Sequence, residues 1–245
     1  VRKRLRQTFQ SVFTSDSSLG VYNSFYIVGD IAIIKLPNSY RTYAPLVAAA
    51  IMSKHKNVKT VLAQLGGIAG DHRTRRLVHV AGENRFRTIH KESGCMFVVD
   101  LESCYFSPRL SYERRRIAQL VNAAEIVVNM FAGVGCFSIL IAKQVPITKI
   151  YSIDINPAAT QFMEENIKLN GVYGKVISML GDSKLIIETQ LQGVADRVLM
   201  PLPEKALEYL PVAISALKPT GGWIHYHSFE HAAKGESPIE KAKQK

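Results

Sequence analysis

With 245 residues, 47% of them hydrophobic, the chain is long enough for one large domain or two modest ones and can bury a real core, which excludes a disordered polyelectrolyte. No apolar run approaches the roughly 20 residues of a membrane helix, and the opening VRKRLRQTFQ is basic but lacks the apolar core and cleavage site of a signal peptide. The formal charge is +11, from 31 Lys/Arg against 20 Asp/Glu. Residues 1–125 carry 19 basic against 9 acidic side chains and the remainder 12 against 11, so the excess sits almost wholly in the front half. It clusters at 2–6, 54–59, 73–76, 85–91 and 109–116. Such one-sidedness points to a polyanionic partner, nucleic acid above all, because each cation that meets a phosphate releases a condensed counterion. Cys95, Cys104 and Cys136 form no Cys-x-x-Cys pair. That spacing speaks against a disulfide framework and a cysteine-built zinc site, and a reducing, cytoplasmic setting is expected.

Taken in chain order, SFYIVGDIAIIKL (24–36) reads as two strands paired around the Gly29-Asp30 turn. YAPLVAAAIMSKH (43–55) has helical periodicity and VKTVLAQL (58–65) is strand-like, after which Gly66, Gly67 and Gly70 break the pattern. RFRTIH (85–90) and CMFVVDL (95–101), separated by KESG, suggest a second hairpin. A helix is expected from Ser111 to Asn122. The organisation is thus a basic α+β domain over 1–105, a connecting helical segment over 106–125, and a second domain over 126–245.

From 126 onward strands and helices alternate. IVVNMF (126–131) leads through AGVG into the helix CFSILIAKQ, and KIYSIDI (149–155) follows. Asn156 can cap the next helix, Pro157 suits its first position and Gly171 can close it. KVISML (175–180), DRVLM (196–200) and GWIHYHSF (222–229) supply three more strands. This alternation implies a parallel, doubly wound sheet and an α/β fold.

Gly133 and Gly135 lie at the turn from the first of these strands to its helix, where backbone can approach a ligand closely. Ser138 occupies the third position of Gly-x-Gly-x-x-Gly, so a dinucleotide fingerprint is incomplete. Asp154, 19 residues beyond Gly135 at the end of the next strand, stands where such folds bind ribose hydroxyls. Asp182, after the third strand, could accept from an adenine amino group. A nucleoside without a pyrophosphate fits this set, and S-adenosylmethionine fits better than NAD.

SPRLSYERRR (107–116) places Glu113 among Arg109, Arg114, Arg115 and Arg116. Its spacing to Arg109 and Arg116 makes a helix-surface ion pair the simplest local reading. Arg75 and Arg76 read as phosphate contacts on a solvated loop. His225 and His227 share one face of a strand and read as packing groups rather than metal ligands.

The blocks HRTRRLVHVAGENRFRTIHKESG, CYFSPRLSYERRRIA, NMFAGVGCFSI, IDINP and PLPEKALEYLPVAI…GGWIHYH resemble, in order, the archaeal and eukaryotic tRNA (guanine-N1) methyltransferases, which act at guanosine 37. The similarity covers most of residues 20–230. It implies a class I, Rossmann-like methyltransferase domain behind the small basic domain, with S-adenosyl-L-methionine as cofactor and the tRNA anticodon stem-loop as partner. It implies no membrane or metal partner, and a monomer is expected. Matched residue by residue, the resemblance makes Arg73 the contact to the target guanine and Glu113 the general base. Tyr105, Arg109, Asn129, Phe131, Gly133, Gly135, Asp154 and Asp182 fall to the methyl donor, and Pro201, Leu202 and Pro203 to the substrate base. A base is needed because guanine N1 carries a proton at neutral pH, and a guanidinium suits the charge that develops on O6.

Two positions depart from the family pattern. Asn129 stands where an acidic residue usually ends the first strand, and Pro201 where many members have asparagine. Proline offers neither a side-chain amide nor an N–H. Two alternatives therefore stay open: a bifunctional wyosine-pathway methyltransferase acting at the same nucleotide, and a non-catalytic RNA-binding relative.

Overall fold

A computed structural model describes residues 25–243 other than 37, 71, 147, 231 and 234. The basic run at 2–6 lies outside the described residues. The front sheet has the order β1-β2-β3-β4. Strands β1 (Phe25–Val28) and β2 (Ile31–Ile34) form the expected hairpin. At its turn Gly29 has φ +58°, and a Cβ there would collide with Thr88 and Ile89 of the next hairpin, so only glycine fits. Helix α1 (Ala44–Lys54) links β2 to the parallel strand β3 (Thr60–Ala69) and buries Val47, Ala48 and Ile51 against Ala32, Ile34 and Val61.

Two expectations change here. Gly66 and Gly67 do not end the strand, because β3 runs on to Ala69, with the register slipping between Gln64 and Ile68 to absorb them. Strand β4 (Thr74–Gly82), which hydropathy does not reveal, pairs antiparallel with β3. The β3–β4 turn through Gly70 and Arg73 is the part that matters for the site below.

The second hairpin, β5 (Arg87–Glu92) and β6 (Cys95–Asp100), closes through Ser93 and Gly94. Their φ values of 50° and 78° are the pair of left-handed residues that suits a tight hairpin turn. Lys91 and Glu92 therefore belong to the strand.

The main sheet has the order β11-β10-β7-β8-β9, all parallel. Its strands are β7 (Ile126–Asn129), β8 (Lys149–Asp154), β9 (Val176–Leu180), β10 (Arg197–Met200) and β11 (Trp223–Tyr226). The expected doubly wound arrangement is present. The connecting helices are α3 (Cys136–Gln144), α4 (Pro157–Leu169), α5 (Ser183–Ile186, followed by a wider turn over Ile187–Leu191) and α6 (Ala206–Ala216). A short α7 (Pro238–Lys243) ends the described chain. Asn156 caps α4 as expected, its side chain accepting from the Ala158 N–H at 3.0 Å.

Two asparagines one turn apart, Asn166 on α4 and Asn170 at its C-terminal cap, join the second hairpin to this sheet. Asn166 accepts from the Val98 N–H (2.7 Å) and donates to the Val98 and Val134 carbonyls (3.0 Å each). Asn170 accepts from the Met96 N–H (2.9 Å) and donates to the Met96 carbonyl (2.7 Å). Side-chain amides thus take the place of a neighbouring strand along β6, whose free edge would otherwise leave polar backbone buried without partners.

Helix α2 (Ser111–Ala118) is shorter than expected. Its Arg114 is buried and forks onto Glu92 of β5 at 2.7 and 2.6 Å, with a further bond to the Ser107 carbonyl at 3.1 Å. Burial opposes the Glu92 charge, but the Arg114 fork and then His90 outweigh it and hold the carboxyl at about 2. The three cysteines are buried, and burial pushes the thiols up, Cys104 to about 11 and Cys136 to about 12. Among the described residues no helix is long and apolar enough to cross a membrane, and no group of three or more His, Cys, Asp or Glu could hold a metal.

Replacing Glu92 by Gln strands Arg114 in the interior and is expected to cost about 3–5 kcal/mol in urea unfolding at pH 7. Because the folded carboxyl titrates at about 2 and the unfolded one near 4.5, Glu92 stabilises fully above pH 4.5. Its contribution is lost as pH falls towards 2, so the gap between wild type and variant should narrow over that interval. A gap that stays constant would show that the ionised Glu92 carboxylate is not what stabilises the fold.

Candidate active site

A cavity of about 410 Å³ opens at the carboxyl ends of the main-sheet strands, the usual ligand position in an open α/β sheet. Its walls include Phe131 after β7, Ile155 after β8, Gly181, Asp182 and Ser183 after β9, and Leu202, Glu204 and Lys205 after β10. Gly70 and Arg73, from the front-sheet turn, complete it. Phe131 packs edge-on against Tyr209 at 5.3 Å, which gives the cavity an aromatic wall. Asp182 caps α5 through the Lys184 N–H (2.9 Å) and accepts from the Tyr209 hydroxyl (3.1 Å), so the carboxylate is fixed in orientation. The Ser183 hydroxyl is buried with no partner in the protein, a polar atom suited to a ligand.

The glycine loop, Gly133 and Gly135, is not among the residues lining this cavity. Gly135 (φ +90°) begins α3, and a Cβ there would lie 2.9 Å from Met163 Cγ and 3.0 Å from Ile139 Cδ1. Gly133 donates its N–H to Asp154 at 2.6 Å, and the Asn156 N–H reaches the other Asp154 oxygen at 2.9 Å. Burial raises the Asp154 carboxyl above its ordinary value, and these two N–H groups pull against that rise. Asn129 does not line the cavity. It is fully buried and donates to the Ser138 hydroxyl at 3.1 Å, which also accepts from Ser152 at 2.7 Å, while its Oδ1 has no partner in the protein. Pro201 and Pro203 flank Leu202, and of the three only Leu202 lines the cavity.

Arg73 is a non-glycine residue with φ +52°. Its guanidinium lies 4.3 Å from the centre of the Tyr105 ring and pairs with Glu204 at 3.1 Å. Arg75 lies 4.9 Å from the Tyr105 ring and 5.8 Å from that of Tyr26, and Arg109 lies 5.5 Å from Tyr26. The result is a ladder of alternating guanidinium and phenol groups: Arg73, Tyr105, Arg75, Tyr26, Arg109. Arg75 is 6% exposed and donates to the Phe106 carbonyl at 2.8 Å, so it is not the solvated phosphate contact expected of it. Arg76 is exposed, as expected, but it sits on strand β4 rather than on a loop. Tyr105 and Arg109, assigned to the methyl donor from the sequence, are rungs of this ladder rather than cavity walls.

Glu113 does not line the cavity either. Arg116 forks onto it at 2.8 and 2.7 Å, and the His227 Nε2 lies 3.2 Å from the same carboxylate. The Arg116 hydrogen bond, against burial, holds the Glu113 carboxyl below its ordinary 4.5. His225 contacts Arg197 at 2.8 Å, and burial with that guanidinium depresses the imidazole to about 4. Neither histidine meets a metal cluster among the described residues. The structure thus brings together Arg73, Phe131, Asp182 and Leu202 in the cavity wall, and leaves Tyr105, Arg109, Glu113, Asn129, Gly133, Gly135, Asp154, Pro201 and Pro203 outside it. Sequence reasoning missed Glu204, Tyr209 and Ser183. The GDS turn following a strand was the available signal for Ser183; the other two belong to no motif.

Comparison with known proteins gives the family of the fold. Residues 88–245 match the family model described as the TRM5/TYW2 methyltransferase domain, and residues 5–85 match the TYW2 N-terminal domain. The chain is 46% identical over 206 residues to the tRNA (guanine(37)-N(1))-methyltransferase Trm5b of Pyrococcus abyssi, a match covering 84% of this chain and 60% of that one. It is 39% identical over 227 residues to the tRNA 4-demethylwyosine(37)-methyltransferase Taw21 of Saccharolobus solfataricus, covering 92% and 85%. A solved complex of aTrm5 with tRNALeu superposes with a TM-score of 0.83 at 35% identity, covering 98% of this chain and 69% of that one. The chain therefore spans about 60% of the length of the Trm5b relative.

Replacing Gly135 by Ala should cost about 1–3 kcal/mol, because the left-handed backbone is strained for alanine and the new Cβ has no room beside Met163 and Ile139. Thermal melting checks this, and an unchanged melting temperature would show that the loop readily relaxes.

Proposed function

The chain belongs to the TRM5/TYW2 methyltransferase family, and from that premise we propose that it transfers the methyl group of S-adenosylmethionine to N1 of guanosine 37 in the tRNA anticodon loop. The carrying observation is that Arg73, delivered by the front sheet, lines the same cavity as Phe131, Gly181 and Asp182 of the main sheet. A substrate-facing cation and a nucleoside-sized polar and aromatic wall therefore face each other.

The cavity groups fit this cofactor. Asp182, after β9, suits an adenine amino group and the Ser183 hydroxyl is unclaimed, while Asp154, at the end of β8, suits ribose hydroxyls from just outside the cavity lining, held by the Gly133 and Asn156 N–H groups. The bound cofactor supplies a methyl already activated by its sulfonium charge. The protein's part concerns the guanine. Glu113 accepts the N1 proton as the nitrogen lone pair is used, and Arg73 donates to O6, where negative charge collects. Glu113 must first turn from Arg116 and His227 towards the seated base. In this reading residues 1–105 grip the RNA, 106–125 connect, and 126–245 hold the cofactor. Lys54, Lys56 and Lys59, all exposed around the end of α1, supply phosphate contacts.

A second reading has its own support. The chain is 39% identical to Taw21 over 227 residues, and Pro201 leaves its place in the loop after β10 without a side-chain amide. Both features favour 4-demethylwyosine at position 37 as the acceptor.

Labelled methyl transfer to tRNA carrying G, A or 4-demethylwyosine at position 37, followed by nucleoside identification, separates the two readings. N1-methylguanosine formed on the G37 tRNA alone is the expected result. Product on the 4-demethylwyosine tRNA alone would replace the first reading with the second. Glu113→Gln should lower kcat/KM by about 10²–10⁴-fold. An undiminished rate would remove Glu113 from the mechanism.

The pH profile tests the same residue. The base works only when ionised, and its carboxyl is held below 4.5, so the acid limb of kcat/KM should lie below that value. Arg116→Ala should move the limb upward; a limb that stays put would assign it to another group.

A further inference from the structure

The ion pair between Arg73 and Glu204 joins the front-sheet turn to the loop after β10, across the cavity mouth. We propose that Glu204 reads the exocyclic amino group of the target guanine and thereby takes over the task that Pro201 cannot perform. The inference rests on the reading that guanosine 37 is the substrate.

The hydrogen-bonding edge of guanine presents the O6 acceptor and the N2 amino donors on either side of N1–H. A guanidinium beside a carboxylate is the complement of that edge, with the donor matched to O6 and the acceptor to the amino group. Arg73 and Glu204 offer this arrangement, and both line the cavity. In the structure each satisfies the other at 3.1 Å, so an entering guanine exchanges one ion pair for two charge-assisted hydrogen bonds. Arg73 is confined from its other side by the Tyr105 ring and is 17% exposed, whereas Glu204 is 50% exposed and has room to turn. The neighbouring cation, Lys205, is engaged with Glu208 at 3.2 Å. Among the described residues Glu204 and Asp182 are the carboxylates of the cavity wall, and Asp182 is anchored through its Oδ1 to the α5 cap and Tyr209 and, in the functional reading, serves the adenine amino group.

Inosine provides the test, because it keeps O6 and N1–H and lacks only the N2 amino group. Methyl transfer and equilibrium binding, the latter with S-adenosylhomocysteine present, are measured on tRNAs carrying G or inosine at position 37. Wild type, Glu204→Ala and Glu204→Gln are compared, and binding of S-adenosylhomocysteine reports that each variant is folded. Wild type is expected to prefer G over inosine by about 10- to 100-fold, and Glu204→Ala to bring that ratio to about one. Glu204→Gln should fall between them. An equal loss on both tRNAs would mean that Glu204 only steadies Arg73, and an unchanged ratio would mean that it reads nothing; either result overturns the assignment. If wild type transfers no methyl to G37, the substrate reading fails by itself. The binding ratio then decides Glu204: discrimination lost in Glu204→Ala supports the assignment, and no discrimination in wild type overturns it.

Discussion

The buried fork of Arg114 on Glu92 sets the position of nearly everything around the site. Two charges at 3% and 7% side-chain exposure are costly to hold in the interior unless every hydrogen-bonding group is used. Here both Glu92 oxygens are engaged by Arg114, and the Ser107 carbonyl takes a further guanidinium bond. The fork fixes the rotation of α2. With Arg114 turned inward, Glu113 and Arg116 fall on the outer flank three residues apart, where they meet. The partner that α2 finds, β5, belongs to a hairpin already held on α4 by the amides of Asn166 and Asn170. A chain of polar contacts thus runs from α4 of the main-sheet half of the molecule to the helix bearing Glu113.

The guanidinium–phenol ladder performs a related task at the other end of that helix. It takes Tyr26 from β1, Arg75 from β4, Arg73 from the turn before it, Tyr105 from the crossing segment and Arg109 from the approach to α2. Three cations this near one another repel. Ring faces between them, the Phe106 carbonyl on Arg75 and the Glu204 carboxylate on Arg73 offset that repulsion. Part of the basic excess of the front half is therefore internal structure. Tyr26 shows what this costs, since its hydroxyl is buried without a partner and burial raises its ionisation above the ordinary value, despite Arg75 and Arg109 nearby.

What could be read in the sequence was what local rules govern. The strand–helix alternation, the Asn156-Pro157 start of α4 and the glycine at 135 follow from propensity, capping and backbone sterics, and they recur in the structure. β4 was hidden because its inward positions include Arg75, an arginine that enters the interior only by finding Tyr26, Tyr105 and Phe106. The glycines at 66 and 67 suggested a break because a sheet's tolerance of a register slip is a property of its neighbour strand. SPRLSYERRR was legible in part. Spacing alone suggested the Glu113–Arg116 pair, but which arginine turns inward depends on Glu92, 22 residues earlier in the chain. Glu204 had no local signal at all, since its significance lies in facing Arg73 across 131 positions of sequence.

The burial of all three cysteines has a practical consequence. Cys95, Cys104 and Cys136 each lie in the core, and burial keeps them protonated well beyond neutral pH, so none presents a thiolate to oxidants or alkylating reagents. A cysteine introduced on the surface would therefore be the one nucleophilic thiol of the native chain. Two such positions, one on the front-sheet turn and one on the loop after β10, would accept a pair of spectroscopic labels without removing any native residue from the core. The separation of the two loops across the cavity mouth would then be measurable in solution.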